Sequence, residues 1–340
     1  MMGTGGLTPK EWVRERGPRV VAVGGGTGLS VLLRGLKRYT SNLTAVVTVT
    51  DDGGSSGRLR GELGVIPPGD IRNCLVALAE TETLMDRVFD HRFQAGQGLK
   101  GHNLGNLLLV ALAEITGDMM SAIKEVSKVL AVRGRVLPST LKEVVLAAEM
   151  RNGVFVTGET AIRNCQEAIK RVFLVPSECK PLVETLTAIA EADVVVLGPG
   201  SLYTSIVPNL LVKGVTEALR ESTAVKIYVA NIMTERGETE DFTLADHLAA
   251  IYEHTGEGVI DYIIVNNQPI PAEMLHRYAV EEASPVVIDL DRVAGMKVKV
   301  VGEDLLSDSD VAWHDPIKLG RTVFNTISRV EQGARNEFLS

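Results

Sequence analysis

RVVAVGGGTGLSVLLRGLK, the stretch from Arg19 to Lys37, decides the fold of this chain. It joins a short apolar run, Arg19–Val23, to three consecutive glycines and then to a segment in which leucines recur at helical spacing. Leu43–Thr50 (LTAVVTVT) follows as a run rich in β-branched residues, which predicts a second buried strand. A strand, a glycine loop, a helix and a second strand make a βαβ unit, so the sequence predicts a parallel sheet.

The same alternation returns in the second half of the chain, where apolar strands end in polar loops. Predicted strands cover Asp193–Leu197, Lys226–Ala230 and Tyr262–Val265, and a final amphipathic helix covers about Ile317–Val330. Ligands of open α/β sheets bind at the carboxyl ends of the strands. We therefore expect the loops after these strands to converge on one cleft.

Residues 129–175 have a different pattern, with short β-like runs at Val144–Ala148, Val154–Thr157 and Val172–Val175. This pattern predicts an antiparallel, hairpin-rich insertion. The predicted fold class is thus α/β, a Rossmann-like, mostly parallel sheet with flanking helices and a small hairpin-rich insertion. We expect a single domain over 19–327, a loose leader over 1–18 and a polar tail over 328–340.

Composition excludes several classes of protein. The formal net charge of the 340 residues is −8, which does not favour nucleic acid as a partner. Three widely spaced cysteines without a CxxC pair argue against a disulfide framework and a zinc site, as expected in a reducing cytoplasm. Neither an apolar run of membrane-spanning length nor a signal peptide is visible, so we expect a cytoplasmic protein without a membrane span.

The glycine loop is the first candidate site. Glycines allow the backbone to approach a phosphate closely, and the following helix offers free N–H groups and the positive end of its dipole. The alternative is a tight strand-to-helix turn without a ligand. The spacing fits neither G-x-G-x-x-G nor a Walker loop, which argues against a nicotinamide oxidoreductase. The predicted phosphate-binding residues are Gly24, Gly25, Gly26, Thr27 and Gly28.

A second candidate site, DDGGSSGR, follows the second predicted strand. Asp51 and Asp52 are placed to meet a sugar hydroxyl, to hold Mg²⁺ or to act in catalysis. Ser55 and Ser56 supply hydroxyl donors, and Arg58 could pair with a phosphate. The alternative is a solvated loop.

Two further polar segments begin predicted helices. PGDIRN contains Asp70 and Asn73, and Asp70 could instead serve only as a helix cap. GHNLGN contains His102, Asn103 and Asn106, of which His102 is a candidate acid or base; a capping arrangement is again the alternative.

A second glycine loop follows the predicted strand Asp193–Leu197. It could bind another phosphate or a sugar, or form only a turn. Its candidate ligand-binding residues, with the first residue after the next strand, are Gly198, Gly200, Ser201, Tyr203, Thr204 and Asn231.

These segments, in this order, resemble the YvcK group of bacterial gluconeogenesis factors within the superfamily of CofD, the 2-phospho-L-lactate transferase. The resemblance extends from about Arg19 to Ile327 and is strongest in DDGGSSGRLR and in NIMTERGETEDFT, Asn231–Thr243. It implies that the glycine loop holds a diphosphate and that Tyr278 packs on a nucleotide base, although Tyr278 could equally be an ordinary tyrosine on a helix surface.

The resemblance also implies a function. The YvcK group is similar to UDP-sugar-binding proteins, with UDP-N-acetylglucosamine as the implied ligand, a role on gluconeogenic carbon and in cell shape and peptidoglycan synthesis, and no established activity. We therefore predict a regulatory protein with a protein partner in cell-wall synthesis, and the superfamily allows a homodimer. The alternative is a CofD-like transferase that moves a phospholactyl-type group from a nucleotide diphosphate donor with Mg²⁺. Trp313 and Pro316 stand where relatives often carry basic and hydroxyl residues, so regulatory phosphorylation of a threonine there is not expected.

Overall fold

A computed structural model describes residues 17–80, 84–280 and 282–339 of the chain. The predicted leader therefore lies almost wholly outside the described residues. Among the helices in the described ranges, none combines the length and apolarity that crossing a bilayer requires.

The main sheet explains the alternation seen in the sequence. Within the described residues it has seven strands in the order β10-β9-β8-β7-β1-β2-β3, and every neighbouring pair is parallel. β1 lies near its centre, where Val20 pairs with Leu43 of β2 on one side and with Val194 of β7 on the other. All three strands are buried along their length, as expected when helices cover both faces. The strands are β1 Val20–Gly24, β2 Leu43–Val47, β3 Arg135–Pro138, β7 Val194–Leu197, β8 Val225–Val229, β9 Tyr262–Asn266 and β10 Lys299–Glu303.

The smaller sheet is antiparallel and lies inside the predicted insertion. Its order is β5-β4-β6, with β4 Val145–Met150, β5 Phe155–Thr157 and β6 Ile169–Val175. β3 also falls within the predicted insertion range, yet it pairs in parallel with β2 in the main sheet. A four-residue strand with a distant partner carries no local signal of that pairing. The predicted fold class is confirmed.

Helices connect and cover the strands. In chain order they are α1 Gly26–Leu36, α2 Gly54–Leu63, α3 Gly69–Leu78, α4 Leu84–Asp90, α5 Leu104–Thr116, α6 Met119–Val129, α7 Glu159–Arg163, α8 Val183–Glu191, a π-helical turn Leu202–Ile206, α9 Val207–Leu210, α10 Val215–Glu221, α11 Leu244–Thr255, α12 Ala272–Val280, α13 Leu290–Ala294 and α14 Pro316–Leu339.

The last helix, α14, packs directly on α1. A Cβ added at Gly35 of α1 would lie 3.1 Å from the backbone nitrogen of Gly320, so the two helices touch through glycines. The helix continues beyond its predicted end at Val330 to Leu339, through the segment predicted as a polar tail.

Candidate functional site

Two adjoining cavities lie where the loops after β1, β7 and β8 meet. The first, called here the loop cavity, has a volume of about 540 Å³ and is lined by Thr27, Gly28, Pro199, Gly200 and the residues after β8. The second, called the acidic cavity, has a volume of about 1030 Å³. The two are continuous, because the same four side chains line both: Arg163, Thr234, Glu235 and Tyr278.

Close tertiary contacts require glycine at several positions of the first glycine loop. A Cβ added at Gly25 would lie 2.5 Å from Thr48 Cγ2, and one added at Gly28 would lie 2.7 Å from the carbonyl carbon of Pro199. Gly26 has a φ of +63°, which favours glycine. Thr27 and Gly28, in the first turn of α1, line the loop cavity, where a helix leaves its N–H groups without helical partners.

Asp70 lies beneath this loop and accepts a hydrogen bond from the backbone N–H of Gly26. Burial and the nearby charge of Asp51 raise the pKa of Asp70 to about 6. Asp51 lines the acidic cavity and accepts the N–H of Gly53 at 2.9 Å. Asp51 and Asp70 are thus the two carboxylates of this region whose charges interact.

Asp52 has a different partner from its neighbour. Its Oδ1 accepts hydrogen bonds from the backbone N–H of Thr160 at 2.9 Å and from the hydroxyl of Thr160 at 2.6 Å. It therefore ties the loop after β2 to the first turn of α7 in the insertion.

The polar residues before α5 form a hydrogen-bonded group with α2. Ser55 Oγ lies 3.1 Å from His102 Nδ1 and accepts the N–H of Asn103 at 3.2 Å, while Asn106 donates to Ser56 Oγ. Asn103 caps α5, as the alternative interpretation predicted.

The remaining polar residues of this region bind protein groups. Arg58 donates to the carbonyl groups of Gly98 and Lys100, and Asn73 accepts from Arg72. No ligand role for Arg58 or Asn73 follows from these contacts.

The second glycine loop is held by two glutamates after β8. Ser201 donates to Glu235 at 2.5 Å, and Thr204 and the N–H of Tyr203 both bind Glu238. Asn231 bonds both the N–H and the carbonyl of Gly200. Burial, and then the neighbouring Glu235, raise the pKa of Glu238.

An aromatic wall closes the loop cavity. Tyr278 of α12 accepts a hydrogen bond from the N–H of Ala312 at 3.1 Å, and the exposed side chain of Trp313 lines the same cavity. The resemblance predicted that Tyr278 lies at the ligand site, and Tyr278 lines the loop cavity. It did not predict that Trp313 lines the same cavity.

Sequence reasoning also missed Glu159 and Arg163 of α7, which line the cavities. Glu159 lines the acidic cavity, and burial with the charges of Asp51 and Asp70 raises its pKa to about 9. Arg163 lies between the cavities, with Nε 3.8 Å from Glu238. Both lie in the predicted insertion, and only the tertiary fold brings them to the strand ends.

Comparisons with known proteins agree with this architecture. The family model for 2-phospho-L-lactate transferase CofD matches residues 20–306. The chain is 52% identical over 305 residues to a gluconeogenesis factor of Halalkalibacterium halodurans, covering 89% of this chain and 95% of that protein. It is 50% identical over 303 residues to the gluconeogenesis factor of Bacillus subtilis, covering 89% and 96%.

A solved structure extends the likeness to three dimensions. The crystal structure of a protein from Bacillus halodurans superposes with a TM-score of 0.89 at 51% identity, covering 91% of this chain and all of that one. The chain therefore belongs to the CofD family and, within it, to the group of gluconeogenesis factors.

Proposed function

We propose that this protein binds a nucleotide diphosphate sugar of the UDP-N-acetylglucosamine type across the two cavities and acts as a regulator. The observation that carries the proposal is the continuous cleft with a helix N-terminus and an aromatic wall at one end and hydroxyl-binding groups at the other. Each cavity has about the volume of a small-ligand site.

The cleft offers one environment for each part of such a ligand. The first turn of α1, at Thr27 and Gly28, favours the diphosphate through its N–H groups and dipole. Tyr278 and Trp313 favour a flat base. Glu159 and Asn164 in the acidic cavity favour the hydroxyl and amide groups of the sugar.

The cellular role is part of the proposal. The names of the relatives favour a function on gluconeogenic carbon, and we extend this to cell shape and peptidoglycan synthesis in the cytoplasm. Ligand binding would shift the protein between states with different affinity for a cell-wall synthesis partner.

A CofD-like transferase is the second candidate, favoured by the proximity of Asp51 and Asp70. Mg²⁺ is usually held by one or two carboxylates together with waters and substrate phosphates. Asp51, which lines the acidic cavity, and Asp70, whose charge interacts with it, would supply those two carboxylates. Among the described residues, no group of three or more acidic, histidine or cysteine side chains is placed to hold a metal alone. Bound there, Mg²⁺ would neutralise charge that develops on the departing phosphate.

Calorimetric titration with UDP-N-acetylglucosamine, with and without Mg²⁺, followed by chromatography of the mixture, separates these functions. Binding with recovery of intact ligand is the result expected of a regulator. Consumption of the ligand would favour the transferase, and the absence of binding to any UDP-sugar would overturn the proposal.

A Thr27→Asp variant tests the position of the diphosphate. Thr27 is exposed in the first turn of α1, where a carboxylate stabilises the helix but repels a diphosphate. We expect at least a tenfold loss of affinity without a loss of stability. Gln97→Glu adds the same charge at an exposed site outside both cavities and should leave affinity unchanged.

A further inference from the structure

Arg163 carries a positive charge to the place where the two cavities join. Among the described residues it is the only cationic side chain that lines both of them. Its side chain is 51% exposed, so a ligand in the cleft can reach it. Arginine stays charged at physiological pH and offers several N–H donors in one plane, a geometry that suits phosphate.

Contacts at both ends of α7 place Arg163 at this junction. In the first turn, Thr160 donates two hydrogen bonds to Asp52. At the last residue of the helix, the backbone carbonyl of Arg163 packs against Gly237, where an added Cβ would clash with that oxygen. The backbone of α7 is therefore held in position, and the half-exposed side chain of Arg163 extends from a fixed base.

The acidic partner of Arg163 is a carboxyl that other groups already bind. Nε of Arg163 lies 3.8 Å from Oε1 of Glu238. The hydroxyl of Thr204 donates to the same oxygen at 2.7 Å, and the N–H of Tyr203 donates to the other oxygen at 3.0 Å. Glu238 thus depends little on Arg163 for its hydrogen bonds, and a ligand can take the guanidinium without leaving this carboxyl unbonded.

The carboxyls that line the cleft near Arg163 carry less negative charge than their number suggests. Glu159 lines the acidic cavity and Glu235 lines both cavities. Burial raises the pKa of Glu159 to about 9 and also raises the pKa of Glu235. Glu159 is therefore neutral at pH 7, and the charge of Arg163 can attract an anionic group to the junction.

The order of groups in a nucleotide diphosphate sugar brings its phosphates to the same place. The diphosphate connects the nucleoside to the sugar, so it lies between a base in the loop cavity and a sugar in the acidic cavity. Thr27 and Gly28 line the loop cavity but not the acidic one, which places them on the side of the phosphate next to the nucleoside. The phosphate next to the sugar then lies nearer to Arg163.

We propose that Arg163 binds the phosphate next to the sugar and is the residue that selects nucleoside diphosphates over monophosphates. This inference rests on the proposed function, since it assigns a protein group to the second phosphate of the same ligand. A monophosphate held at the first turn of α1 does not reach the guanidinium and gains nothing from it.

The test compares UDP with UMP by calorimetric titration of the full chain, without Mg²⁺, so that no ion neutralises the phosphates. We expect the wild type to bind UDP at least tenfold more tightly than UMP. Arg163→Gln should weaken the binding of UDP about tenfold, the loss typical of a hydrogen bond to a charged group. Its affinity for UMP should stay within about twofold, so the ratio between the two nucleotides should fall toward one.

Two further variants assign this effect to the charge at the junction. Arg163→Lys keeps a positive charge without the planar set of donors and should restore part of the ratio. Arg151→Gln makes the same change at an exposed arginine of the insertion that lines neither cavity, and it should keep the wild-type ratio. A merely structural role of Arg163 would weaken UDP and UMP by the same factor.

The outcomes separate this inference from the proposed function. If UDP-N-acetylglucosamine binds but Arg163→Gln keeps the wild-type ratio or weakens both nucleotides equally, the inference is wrong and the proposed function stands. Equal binding of UDP and UMP by the wild type also overturns the inference. If neither UDP nor any UDP-sugar binds, the proposed function fails and the role of Arg163 fails with it.

Discussion

Replacement of Gly28 by alanine should destabilise the protein by separating the two glycine loops. A Cβ at this position would lie 2.7 Å from the carbonyl carbon of Pro199 and 3.1 Å from the backbone nitrogen of Gly200. Carbon atoms in contact are normally about 3.5–4.0 Å apart, so one loop must move by roughly 1 Å. Neither neighbour is a flexible side-chain end that could turn away.

The magnitude follows from two opposing terms. Overpacking against fixed backbone costs up to about 3 kcal/mol. Alanine in place of glycine within a helix returns about 1 kcal/mol. We therefore expect Gly28→Ala to lower the free energy of unfolding by about 2 kcal/mol.

Gly61 provides the matched control. It lies in α2, and a Cβ added there would meet no atom within 4 Å. Gly61→Ala should therefore raise stability by about 1 kcal/mol. Urea unfolding of both variants, monitored by circular dichroism, measures the difference. A Gly28→Ala protein as stable as the Gly61→Ala protein would refute the close approach of the loops.

Three further changes test the site. Asp70→Asn should gain stability relative to wild type as pH rises from about 4 to 6. The pKa of Asp70 is 3.8 ordinarily and about 6 in the folded protein, so the wild type loses stability over this range as the buried carboxyl ionises. Urea unfolding at both pH values measures the difference, and a constant difference would contradict the burial of that charge. Asp52→Asn should cost about 1 kcal/mol. In a Thr160→Val background, which removes the hydroxyl donor and keeps the backbone N–H donor, the cost should be smaller but should not vanish. Asp51→Asn should remove any dependence of ligand affinity on Mg²⁺ in calorimetry, whereas Asp52→Asn should retain it; the reverse result would exchange their assigned roles.

The main sheet could be predicted because its signals are local. The apolar run Arg19–Val23, the glycines and the leucine spacing each report on a few neighbouring residues, and together they define a βαβ unit. β3 could not be assigned in the same way, since only its distant pairing with β2 distinguishes it from the antiparallel insertion.

The roles of individual side chains depended on contacts that the sequence does not encode locally. Asp51 and Asp52 are neighbours with the same chemistry, and only the position of α7 directs Asp52 to Thr160. The sequence predicts phosphate binding from the glycines of the first loop, with a tight turn as the alternative. The structure gives Gly25 and Gly28 packing reasons that are independent of any ligand.

The glycine contact between α1 and α14 ties together parts of the cleft that are almost 290 residues apart in the chain. α1 begins with the turn at Thr27 and Gly28 that lines the loop cavity, and α14 begins three residues after Trp313, which lines the same cavity. These two parts of the cavity lining are therefore joined by a direct contact between helix backbones. The two helices cannot move closer to one another without a backbone clash. We therefore expect any closure of this cleft around a ligand to come from the opposite side, where Arg163 and the insertion lie.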